Sequence, residues 1–172
     1  MVEFRRPESV LVVIHTPRRE CLLLERTVPR GFWQSVTGTL RRRDTPAAAA
    51  VREVREETGL DCIEPGADTR ADRALLRRLG PSTSETPALT ATGVTRRFPI
   101  RPEWRGRYAP GVTENLEHLF YLELPEACCV TLNADEHIAW RWMDLENAIG
   151  KVASWTNREA LERLRSCAVE RQ

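Results

Sequence analysis

The chain has 172 residues, enough for one compact domain with its own core, and a formal net charge of +1 that gives no global drive toward nucleic acid or a membrane surface. No apolar run approaches the ~20 residues of a membrane span, so a soluble, cytoplasmic protein is expected. The 26 basic residues include a single lysine, Lys151, a bias that an arginine-favouring genome explains better than phosphate binding does.

In chain order, Phe4 to Pro7 form a lead-in segment, and the β-branched run Val10 to Ile14 predicts a buried strand. Thr16 to Arg19 reads as a turn, after which Cys21 to Leu24 returns as a second strand. Two strands joined by a tight turn imply antiparallel pairing and hence a mixed sheet. A loop, Thr27 to Gly31, leads into a short strand over Phe32 to Thr37.

A helix is predicted from Pro46 to Thr58. Asp44 or Thr45 can cap its free N–H groups, Pro46 suits the first turn, and four alanines follow. Gly59 closes it in the left-handed conformation. Ala47, Ala50, Val51 and Val54 share one face, and Glu53, Glu56 and Glu57 crowd beside it at i, i+3 and i+4. Spacing leaves two readings of those glutamates open: a solvated face balanced by Arg52 and Arg55, or a platform for a hard divalent cation, Mg²⁺ or Mn²⁺.

Leu60 to Glu64 is expected as a strand. Residues 66–92 change character, with a short amphipathic helix over 71–79 and a turn-rich linker over 81–87; this stretch is expected to be an inserted segment. Val94 to Ile100 resumes as a strand. The loop from Arg101 to Gly111 mixes arginines with Trp104 and Tyr108, a composition suited to phosphate oxygens and a flat ring, or to an ordinary exposed loop. Strands over His118 to Leu124 and Ile138 to Met143 flank a turn at Asp135-Glu136-His137, and Asn157 to Cys167 closes the chain as an amphipathic helix. The five cysteines (Cys21, Cys62, Cys128, Cys129, Cys167) show no metal-ligand spacing and suit reduced thiols.

The stretch from Gly38 to Leu60 resembles the Nudix box: Gly38, an acid at Asp44, then Arg52-Glu53-Val54-Arg55-Glu56-Glu57-Thr58-Gly59-Leu60. The family usually has glutamate where this chain has Asp44, and a shorter version of that residue's contact with Arg52 is expected. Residues 32–38 (FWQSVTG), 107–120 (RYAPGVTENLEHLF), 135–144 (DEHIAWRWMD) and 154–162 (SWTNREALE) are similar to the branch of the family that hydrolyses pterin triphosphates. The likeness covers most of the chain apart from roughly residues 66–92.

The resemblance implies a single Nudix domain over 1–172, an αβα sandwich in which a mixed sheet is flanked by the box helix and a C-terminal helix. It also implies Mg²⁺- or Mn²⁺-dependent hydrolysis of 7,8-dihydroneopterin 3′-triphosphate to dihydroneopterin 3′-monophosphate and pyrophosphate, in folate biosynthesis. Carried over by position, Glu53 and Glu57 are metal ligands. Glu56 is a further ligand or a support for metal-bound water, the Gly38 carbonyl contributes, and Glu136 supplies a ligand or a general base. Arg5, Arg26, Thr37, Phe98, Arg101 and Ser154 are expected at the substrate. Phe98, Trp33 or Tyr108 would stack on the pterin, with a core role the alternative for Trp33 and Phe98.

The implied partner is a small-molecule pterin or nucleoside triphosphate, with no nucleic acid or membrane, and the oligomeric state is left open. Two other readings stand beside this one. The first is a broader nucleoside triphosphate pyrophosphatase acting on dATP, for example. The second is a non-catalytic Nudix-fold regulatory module, which the retained Glu53, Glu56 and Glu57 argue against.

Overall fold

The computed structural model describes residues 4–66 and 86–167. Its framework is one mixed sheet built on β1 (Glu8–His15), which runs parallel to β6 (Glu114–Glu123) along its whole length. On its other edge β1 meets β4 (Val36–Thr39) antiparallel, and at His15 it turns back into β2 (Glu20–Arg26). Strand β2 carries β3 (Trp33–Gln34) and β7 (His137–Asp144), both antiparallel, while β5 (Leu89–Pro99) lies antiparallel outside β6.

Side chains alternate across the sheet, so each strand feeds two cores. Val10, Val12, Ile14, Leu22, Leu24, Phe120 and Leu122 pack beneath helix α1 (Pro46–Thr58) with its Ala49, Ala50 and Val54. Leu11, Val13, Cys21, Leu23 and Leu119 face the opposite way. They meet Leu145 and Ala148 of α2 (Leu145–Lys151) and Ala160 and Leu161 of α3 (Trp155–Cys167). The result is the expected αβα sandwich.

Helix α1 forms as its end signals predict. The Thr45 side chain, rather than that of Asp44, accepts the Ala48 N–H at 3.1 Å. Gly59 adopts φ +70° and donates its N–H to the Arg55 carbonyl at 2.9 Å. Beyond α1 the expected strand Leu60 to Glu64 is reduced to a single bridge between Ile63 and Ala88; no longer partner lies beside it among the described residues.

Three further elements differ from expectation. The strand over 32–37 breaks at Ser35, whose backbone N–H donates to Asn157 Oδ1 at 2.7 Å instead of to a neighbouring strand. Strand β5 begins at Leu89, opposite Leu122, so 89–92 belong to the sheet rather than to the inserted stretch. Helix α2, capped by Asp144 through the Asn147 N–H at 3.0 Å, was not predicted. The expected helix over 71–79 and most of the linker over 81–87 lie outside the described residues. The loop after β5 holds a 3-10 helix, Pro102–Arg107, with exposed arginines. No helix among the described residues is long and apolar enough to cross a membrane.

Candidate metal centre and substrate pocket

Helix α1 brings its carboxylates to the end of the sheet where Gly38 lies in β4, paired with Val10. Glu53 and Glu57, one turn apart, are buried, whereas Glu56 is exposed. An ideal Cβ on Gly38 would stand 1.8 Å from Glu53 Cδ, so the absence of a side chain there is what lets this carboxylate lie against the strand.

Arg52 organises the group. Its Nη1 donates to Glu53 Oε1 at 2.6 Å and to Glu56 Oε2 at 3.0 Å, and its Nη2 to Asp44 Oδ2 at 3.0 Å and the Thr39 carbonyl at 3.1 Å. The shorter Asp44 therefore keeps its contact with Arg52. Burial works against the Asp44 charge, but hydrogen bonds from the Arg41 backbone N–H and from Arg52 hold its carboxyl below the usual range. Glu53 has the opposite balance: burial pushes it up to about 7, with Arg52 pulling down and Glu57 and Glu56 adding repulsion.

Glu57 is almost wholly enclosed. Its Oε2 lies 3.3 Å from His137 Nε2, itself fully buried, and accepts the Thr37 backbone N–H at 3.4 Å. Burial raises the Glu57 carboxyl, against the opposing hydrogen bond and charge of His137.

Glu136 comes from the turn before β7. Its backbone carbonyl accepts the Thr27 N–H at 2.9 Å and its Oε1 an amide hydrogen of Asn133 at 3.3 Å. These contacts leave its carboxylate exposed and close to α1. One ligand atom each from Glu57, Glu136 and His137 falls within 4.8 Å of the others, a group that could hold a metal ion. Both ring nitrogens of His137 are buried; Nε2 faces Glu57 Oε2 at 3.3 Å, and Nδ1 has no hydrogen-bond partner among the described residues. Two carboxylates beside a buried imidazole form a donor set that fits a divalent cation.

The structure thus joins Glu57 with Glu136 across a sequence gap of 79 residues. Glu53 sits one helical turn away against Gly38. Glu56 has one oxygen engaged by Arg41 at 2.9 Å and the other by Arg52. His137 was not anticipated as a site residue. The turn Asp135-Glu136-His137 reads as solvent-exposed, whereas its last member is buried against Glu57 of α1; a histidine directly after an expected site acid was the available signal.

The substrate-side residues divide into two groups. Thr37, Phe98 and Ser154 belong to the face under α2 and α3: Thr37 pairs in register with Leu11, Phe98 with Asn115, and Ser154 Oγ lies 3.4 Å from Thr156 Oγ1. Arg26 ends β2 directly opposite His137, placing it beside the carboxylates. Arg5 bridges to Tyr108 on an exposed rim, and Arg101 stacks its guanidinium 5.3 Å from the Trp104 ring centre. Trp33 takes the core role, 7% exposed beneath α2, with Lys151 5.4 Å from its ring centre.

A family profile described as NUDIX domain matches residues 5–164. The chain is 36% identical to the "Dihydroneopterin triphosphate diphosphatase" of Escherichia coli (strain K12) over 160 residues, 92% of each chain. It is 32% identical to the protein of the same name from Haemophilus influenzae, over 95% of this chain and 90% of the other. In three dimensions it superposes on the structure of the E. coli dihydroneopterin triphosphate pyrophosphohydrolase with a TM-score of 0.73 and 35% identity, covering 93% of this chain and 95% of that one.

Proposed function

Because the chain belongs to the Nudix family of hydrolases, we propose that it is a divalent-metal-dependent diphosphatase acting on 7,8-dihydroneopterin 3′-triphosphate, with dihydroneopterin 3′-monophosphate and pyrophosphate as products. The observation that carries this reading is the meeting of Glu57 with Glu136 and His137 beside the Gly38–Glu53 contact. The choice of substrate follows the two relatives named for that activity, each aligned over at least nine-tenths of its length. Work in the cytoplasm, in folate biosynthesis, is part of the same proposal.

Glu57 and Glu136 would hold the ion, Mg²⁺ or Mn²⁺, with Glu53 and the Gly38 carbonyl completing the set and Glu56 supporting it from the exposed side. Such an ion supplies charge neutralisation at the phosphoryl oxygens and a more acidic bound water. The protein's own residues do the positioning. Arg52 fixes Glu53 and Asp44 in one arrangement, so the carboxylates need not reorganise as charge builds on the phosphates. Arg26 and Arg5 would offer guanidinium donors to the phosphate chain. Thr37, Phe98 and Ser154 line the ring's side of the pocket.

Steady-state rates with Mg²⁺ for dihydroneopterin triphosphate, dATP, GTP and ADP-ribose test the proposal. The expected result is a kcat/KM for the pterin at least ~10-fold above that for dATP. Comparable turnover of every triphosphate would favour the broader pyrophosphatase, and no turnover of any compound would favour a non-catalytic module.

A further inference from the structure

On the α3 face, at the end of the sheet nearest Gly38, the core stops being apolar. Paired residues share a face, so register places Thr39 beside Ser9, Ser9 beside Glu117, Glu117 beside Arg96, and Asn115 beside Phe98. Asn115 donates to Ser9 Oγ at 2.6 Å. Thr37, two residues along from Thr39, accepts a hydrogen bond from Gln34 Nε2 at 3.0 Å. The start of α3, with Ser154 and Thr156, closes over this polar floor. Three of the residues proposed at the substrate, Thr37, Phe98 and Ser154, therefore surround one residue with no assigned task.

That residue is Glu117. It is only 7% exposed, and its side-chain partner among the described residues is Thr156. The nearest cation in register is Arg96, whose Nε donates to Glu159 Oε2 at 2.8 Å while its Nη2 binds the other Glu159 oxygen. Arg96 is thus committed to α3, and among the described residues no cation offsets the burial of Glu117. A buried carboxylate with one hydroxyl partner is costly in a structure that gains nothing from it, and burial indeed lifts this one to about 7. What it lacks is a pair of N–H donors.

We infer that Glu117 is the ring-recognition residue of the substrate pocket, its two carboxylate oxygens accepting the paired N–H donors of a 2-amino-4-oxo pyrimidine edge. The inference rests on the proposed triphosphate substrate and deepens it. A pterin presents its ring N3–H and exocyclic 2-amino group side by side, and guanine presents the same pair. Adenine presents a ring acceptor next to an amino donor, which a carboxylate can meet at one oxygen only. The pocket is then built to select pterin and guanine rings and to reject adenine, since unmatched buried polar groups discriminate strongly.

Glu117→Gln is the informative change, because glutamine is nearly the same shape and offers one acceptor and one donor, the complement of adenine. Two readouts separate this inference from the proposed function. The first is fluorescence titration of the metal-free protein with neopterin, with adenosine as competitor. The wild type is expected to bind neopterin and to prefer it to adenosine, and the variant is expected to lose at least ~10-fold in neopterin affinity with adenosine binding unchanged or improved. The second is kcat/KM on dihydroneopterin triphosphate and dATP, whose ratio is expected to move by the same factor through KM.

An equal loss for both rings, with a lowered melting temperature, would make Glu117 a structural residue and overturn the inference. So would unchanged neopterin affinity in the variant, or failure of the wild type to bind neopterin. A wild type that binds neopterin selectively through Glu117 but hydrolyses no triphosphate would uphold the ring pocket and sink the diphosphatase reading.

Discussion

Gly38 and Glu53 occupy one space: any side chain on the glycine would begin 1.8 Å from the glutamate's carboxyl carbon. The atom displaced is the end of a flexible side chain, so the fold can survive such a change while Glu53 cannot keep its place. Gly38→Ala is therefore expected to melt within a few degrees of wild type yet to lose ~10²-fold in kcat, the scale of a displaced electrostatic group. Circular dichroism melting beside steady-state kinetics decides it; near-normal turnover would show that the position of Glu53 does not matter.

Glu53→Gln keeps the shape and removes the charge. A fall in kcat of at least ~10² with the fold intact is expected. If kcat holds and only KM rises, Glu53 contributes to ground-state binding and its proposed role is wrong.

Ion binding has a signature independent of turnover. A ligand that binds only the folded state at a hundred times its Kd adds about 2.7 kcal/mol of stability. Wild type moved from EDTA into saturating Mg²⁺ or Mn²⁺ is thus expected to melt several degrees higher. Glu57→Gln and Glu136→Gln should each shrink that rise, measured against their own EDTA baselines because Glu57 is half of a buried pair with His137. An undiminished rise in both variants would place the ion elsewhere.

Glu117 also predicts a pH dependence of stability. Its carboxyl titrates at about 7 in the folded protein against an ordinary 4.5, so the folded state binds the proton more tightly than the unfolded chain. Its contribution carries no penalty below about 4.5, and stability declines as pH climbs to about 7, by up to about 3 kcal/mol. Glu53 shifts to about 7 as well and declines over the same window. The Arg96–Glu159 pair facing this region has its carboxyl held low, chiefly by the Arg96 hydrogen bond, and titrates below that window. Metal-free Glu117→Gln is expected to lose less stability than wild type between pH 5 and pH 8; parallel curves would refute the assignment.

The parts of this fold that could be read from sequence are those decided locally. Helix α1 announces itself through Thr45, Pro46, four alanines and Gly59, and the sheet's centre through runs such as Val10 to Ile14. Elements decided by distant partners were missed. Leu89 to Thr92 look like loop until they lie beside β6, and Leu60 to Glu64 look like strand although only Ile63 finds a partner. Helix α2 offers just Leu145 and Ala148 as buried anchors over its 7 residues, too few for a periodic signal.

Within the site, the box spacing exposed the glutamates of α1. The burial of His137 and Glu117 is a product of packing, one beneath α1 and the other beneath α3. Nothing adjacent to either in sequence marks it as enclosed.

Strand β4 has only four residues, and Thr37 uses both of its sides. Its backbone N–H reaches Glu57, while its side chain stands on the face that holds Ser9 and Glu117. On the proposed reading, the end of the substrate that is cut and the end that is recognised would be gauged against one short piece of backbone. Such a spacer would work as a ruler, admitting molecules by the length of the tail between ring and anhydride as well as by the ring itself. A change that shifts β4 along β1 should blunt cutting and recognition together, whichever end of the substrate it was meant to affect.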